Sequence, residues 1–101
     1  MLHVNENTID AYKQKTRAQI KEMKANMQLI EARAEKAGAD VRIQYQNKLK
    51  GWKSRLEAVE SELNGLSDST QEAWDIVRSG IDNALSELSD SFENARKQFD
   101  D

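Results

Sequence analysis

The sequence predicts an all-α protein, an antiparallel helical hairpin or coiled coil of one long and one shorter helix that assembles into an oligomeric bundle. Three observations predict it. The 101 residues contain no proline, with 38% hydrophobic and 33% charged, a balance found in helical or disordered chains. The apolar residues recur at helical spacing and include Trp52, Trp74, Phe92 and Phe99, so there is surface to bury against the cost of ordering the chain. The apolar stripe of the first helix also outlasts that of the second.

The first stripe runs Ile9, Tyr12, Thr16, Ile20, Met23, Met27, Ile30, Ala34, Ala37, Val41, Tyr45, Leu49, Trp52, Leu56, Val59 and Leu63. Its mean step is 3.6 residues, which keeps every member on one helical face. Tyr12-Thr16-Ile20-Met23 and Val41-Tyr45-Leu49-Trp52 each step 4-4-3, an eleven-residue pattern that relaxes a left-handed supercoil. Asn64-Gly65 predicts a left-handed C-terminal cap, and Leu66-Ser67-Asp68-Ser69-Thr70 a polar connection.

Ser69-Thr70-Gln71-Glu72 matches a capping box with Ser69 as the cap. The second stripe then reads Trp74, Val77, Ile81, Ala84 with Leu85, Leu88, Phe92, Ala95 and Phe99. Glu72 and Asp75 near its start, and Arg96 and Lys97 near its end, suit the helix dipole.

Gly38 and Gly51 interrupt the first helix, each costing about 1 kcal/mol relative to alanine. Gly51 reads as tolerated. Ala37-Gly38-Ala39-Asp40 could instead end one helix and cap the next, giving a three-helix bundle with a break at Gly38. Because the stripe keeps its phase through Ala34, Ala37 and Val41, the continuous helix is the favoured reading. One domain over 1–101 is then expected, with helix 1 at about 7–64, a turn at 65–68 and helix 2 at about 69–99. The helices would measure about 87 and 46 Å.

Folding back about that turn pairs positions whose numbers sum to about 133, with Trp52 near Ile81, Leu49 near Leu85, Tyr45 near Leu88 and Val41 near Phe92. Ala34 and Ala37 would meet Phe99 and Ala95. The predicted hairpin core is Val41, Tyr45, Leu49, Trp52, Leu56, Val59, Trp74, Val77, Ile81, Leu85, Leu88, Phe92 and Phe99. Residues 9–33 then overhang with Ile9, Tyr12, Ile20, Met23, Met27 and Ile30 uncovered, an interface for a second copy in a homodimer or for a partner protein. Charge agrees with pairing between the halves: residues 1–50 carry a net of +4 and residues 51–101 a net of -7.

No residue pattern points to chemistry. Without cysteine there is no disulfide framework, thiolate nucleophile or cysteine-based zinc site. His3 is the only histidine, the carboxylates fall on solvent-facing positions, and phosphate-loop, HExxH, GxSxG and EF-hand patterns are missing. The expectation is a non-enzymatic protein without cofactor or metal. Neither a membrane-spanning run nor a secretion signal is recognised in the sequence, so a cytoplasmic location is expected. Lys13, Lys15, Arg17, Lys21 and Lys24 crowd about three turns, a basic surface that could hold a helix on anionic lipid. A nucleic-acid role is not expected, because no aromatic residues interleave these bases and the sequence pI is about 5.2.

The run from Ala73 to Leu88, with Ala73-Trp74 leading to Val77 and Gly80 and followed by Phe92, Ala95 and Phe99, resembles the small coiled-coil stress-response proteins of cyanobacteria and proteobacteria. The segment Ala39 to Ile43 resembles a recurring part of their long charged helix. Gly38 and Gly51 depart from the pattern. The resemblance covers most of residues 9–99 and implies a bacterial cytoplasmic protein linked to stress, with no catalytic residues. The functional expectation is a structural or interaction protein that self-associates. The alternatives are reversible association with an anionic membrane surface, and an adaptor or inhibitor docking on a larger complex through its N-terminal helix.

Overall fold

A computed structural model of the chain describes residues 6–66 and 70–99. Among them the chain is all-helical, with α1 at Glu6–Ala37, α2 at Ala39–Asn64 and α3 at Gln71–Phe99. The continuous first helix is therefore corrected to two, and the break falls at Gly38. Its φ of 117° and ψ of 171° lie in a region that only glycine enters readily. Its carbonyl accepts the Arg42 amide at 3.0 Å, which starts α2 after a connection of one residue.

The chain reverses there. Arg17 Nη2 donates to Asn64 Oδ1 at 3.1 Å and Lys24 pairs with Glu60, so α1 and α2 lie antiparallel. The Trp52–Phe92 and Tyr45–Phe99 ring pairs set α3 antiparallel to α2, and Tyr12 against Trp74 sets it parallel to α1. The result is an up-down-up three-helix bundle measuring 55 × 18 × 18 Å. An unbroken helix over 7–64 would alone exceed that length, at about 87 Å.

Burial explains the reversal. Ile9, Ile20 and Ile30, placed on the bare overhang by the sequence, are 3%, 3% and 1% exposed inside the chain's own bundle. Covering each contributes about 1.5–3 kcal/mol. Interrupting the helix forfeits about four backbone hydrogen bonds, whose net value in water is about 1 kcal/mol each. A solitary chain gains by folding back, and its overhang no longer requires a neighbour.

A stripe that keeps its phase does not require a continuous helix. A one-residue reversal leaves Ala34 and Val41 seven positions apart, and both stripes face inward from opposite sides of the bend. Ala34 is buried, Val41 half-buried and Ala37 exposed, so the stripe lapses only at the corner.

Apart from Ala37 every stripe residue is buried or half-buried, including all thirteen of the predicted hairpin core. The α2–α3 register differs from the prediction. Trp52 meets Phe92 rather than Ile81, and Tyr45 meets Phe99 rather than Leu88, a slide of eleven residues or about three turns. The slide carries the first turns of α3 beyond the end of α2. There Trp74 joins Ile9 and Leu66 in a second apolar cluster, with Tyr12 and Val77 packed against it. Leu66, assigned to a polar connection, is 4% exposed and acts as the plug of this end.

One cap assignment changes as well. Gly65 is right-handed, with φ -79°, and closes α2 through its amide to the Ser61 carbonyl at 3.0 Å. Ser69 lies outside the described residues, and Thr70 caps α3, its Oγ1 accepting the Ala73 amide at 3.3 Å. Gly51 sits within α2 as expected.

Candidate interaction groove

Three helices packed in a row of reversals need not close equally on all sides. α1 packs more extensively on α2 than on α3, and the seam between the two parallel helices stays open as a groove of about 620 Å³. It runs from Tyr12 and Arg78 at one end to Ile30 and Arg96 at the other, about five turns of each helix. Met23, Leu29, Ile30, Leu85 and Phe92 supply its apolar lining. Ser86 and Ser89 on α3 add small polar side chains to its lining. Lys15, Arg78 and Arg96 stand along it with Glu22, Asp82 and Glu93, three charges of each sign.

Tyr12 closes the lower end. Its hydroxyl donates to Asp82 Oδ1 at 2.8 Å, and its ring stands edge-on to Trp74 with centroids 5.1 Å apart. Burial, then the hydrogen bond to Asp82 and that carboxylate's negative charge, push the hydroxyl from 10.0 up to about 12. The Thr16 hydroxyl and Arg78 act weakly the other way. At neutral pH the contact is a neutral donor on a charged acceptor, a firm tie between α1 and α3.

The residues predicted as an interface therefore divide. Ile20 and Ile30 belong to the main core, Ile9 to the end cluster, and Met27 packs half-buried on the core. Tyr12, Met23 and the edge of Ile30 reach the groove. The predicted basic surface divides too. Lys15 lines the α1–α3 groove, while Arg17, Lys21 and Lys24 line a shallow cleft against the C-terminal end of α2, where Arg17 is bonded to Asn64 and Lys24 to Glu60. Cations there complement the negative pole of α2. Lys13 is half-buried.

No family model, curated protein or solved structure matches this chain.

Leu29, Ser86 and Ser89 line the groove without belonging to either apolar stripe. Leu29 is 44% exposed and stands one position before the stripe residue Ile30, a signal present in the sequence but indistinguishable there from an isolated surface leucine. Among the described residues, no group of three or more His, Cys, Asp or Glu is arranged to hold a metal ion. Nor is any helix among them long and apolar enough to cross a membrane. His3 lies outside the described residues.

Proposed function

We propose that this chain is a non-enzymatic helical interaction module whose working face is the α1–α3 groove, and that the groove takes one amphipathic helix of a partner protein. The observation that carries this is the groove itself, five turns long, with Met23 and Leu29 presenting apolar surface beside the nearly covered Ile30, Leu85 and Phe92, and with both signs of charge along it. A fourth helix laid there would complete a four-helix arrangement of the common kind. The balanced charge favours a helix with an apolar stripe and mixed flanks. Nucleic acid or an anionic membrane would meet as many repelling groups as attracting ones. The resemblance to small bacterial coiled-coil stress-response proteins supports a stress-linked setting for such a partner.

Photo-cross-linking in the native host tests this. A benzophenone side chain at Leu29 should cross-link one helical segment of one partner, and Ser89→Arg, which fills the groove without touching the core, should abolish the product. The same probe at exposed Ile43, outside the groove, should not give it. Recovery of a second copy of this chain from Leu29 would make the occupant the protein itself. Equal products from Leu29 and Ile43, or a product indifferent to Ser89→Arg, would sink the groove as the working face.

A further inference from the structure

The closed bundle contains the instructions for a second arrangement. The apolar stripe holds its helical phase across Gly38, so straightening that one residue joins α1 and α2 into a single amphipathic helix with its face unbroken. The α2–α3 surface that α1 now covers would then be left bare. The occupant that fits it by construction is α1 of a second copy.

We propose that this surface is a homotypic docking site, and that two copies exchange α1 through opening at Gly38. The observed antiparallel register supports the geometry. Lys24 meets Glu60 and Arg17 lies against Asn64 within one chain. Two straightened chains related by a two-fold axis near residues 38–42 bring the same positions together between chains. The interface is isologous and closed, and all α1 contacts are kept. What changes is the connection, because a glycine held at φ 117° becomes an ordinary helical residue. Nothing lies within 4 Å of where a Cβ at Gly38 would stand, so only backbone conformation restrains the position. Glycine thus holds the monomer closed, and a side chain there favours exchange. This mode is independent of the α1–α3 groove, since both arrangements retain that groove.

The test uses the full chain and two readouts. Sedimentation equilibrium should show Gly38→Ala dimerising at a concentration lower by about 100-fold than the natural chain, because each of two copies escapes about tenfold of strain. Gly51→Ala, an equally helix-favouring change within α2, should leave the equilibrium where it was. The chain has no cysteine, so Lys24→Cys and Glu60→Cys can be placed on separate Gly38→Ala chains. After co-refolding, a short bis-maleimide, which spans the gap that a lysine–glutamate pair leaves between two backbones, should join the two thiols between copies. If Gly38→Ala proves poorly folded, inserting three glycines after Gly38 in the natural chain should relax the reversal and reduce the dimer formed at millimolar concentration. A helical Gly38→Ala that stays monomeric, or a dimer without the inter-copy cross-link, would overturn the exchange. So would a released α1 that binds phosphatidylglycerol vesicles in place of a second copy.

Discussion

The ring of Trp52 meets that of Phe92 edge to face, with centroids 4.9 Å apart and planes at 79°. This pair, with Tyr45 against Phe99 at 5.2 Å, locks α3 onto α2 three turns from the register that simple folding about the loop would give.

That lock should be measurable. Trp52→Ala removes the larger partner and leaves a void in a close-packed core, for an expected loss of about 3–5 kcal/mol. In a bundle this small the loss approaches the whole stability. Phe92→Leu, which keeps an apolar side chain of lesser volume, should cost about 1–2 kcal/mol. Urea unfolding followed by circular dichroism decides both, and a loss below 0.5 kcal/mol for either would mean that the pair does not set the register.

Tyr12 predicts an alkaline limit. Its hydroxyl is pushed up to about 12 in the folded chain against 10.0 in the open chain, so folding favours the protonated form. The stabilisation is therefore complete below pH 10, and it is lost as the pH climbs from 10 to 12. Tyr12→Phe should lower stability by about 1 kcal/mol at neutral pH and remove that part of the alkaline slope. Denaturation midpoints of both proteins across this window provide the check. Parallel curves would show that the bond to Asp82 contributes nothing.

Ile20 distinguishes a core residue from an interface residue. Ile20 is 3% exposed and packs in the main core, so Ile20→Asp exchanges apolar packing for a desolvated carboxylate that the neighbouring Arg17, Lys21 and Lys24 offset only in part, and it should cost several kcal/mol. The loss should appear in a monomer and should not depend on protein concentration. Unchanged melting of the monomer with a weakened dimer would instead return Ile20 to a surface between copies.

The helices and their inward faces were legible because periodicity is a local property. Leu56, Val59, Ile81 and Leu88 could be placed in the core by counting alone, and all four are buried. The groove was legible only in part. Tyr12, Met23 and Lys15 stand out in the sequence, but nothing in linear spacing says that Ser86 and Ser89 of α3 line the same groove. Leu66 was misread because a single apolar residue in a polar loop has no period to reveal it.

The sequence by itself determined that this protein is helical, where its stripes lie, and that residues 9–33 must be covered. Tertiary structure alone decided what covers them. A stripe in phase across Gly38 serves a straight helix and a reversed pair equally well, since both present the same residues to an apolar partner. The choice rests on whether that partner is the chain itself, and for one molecule the proximity of α2 and α3 to α1 outweighs the broken turn.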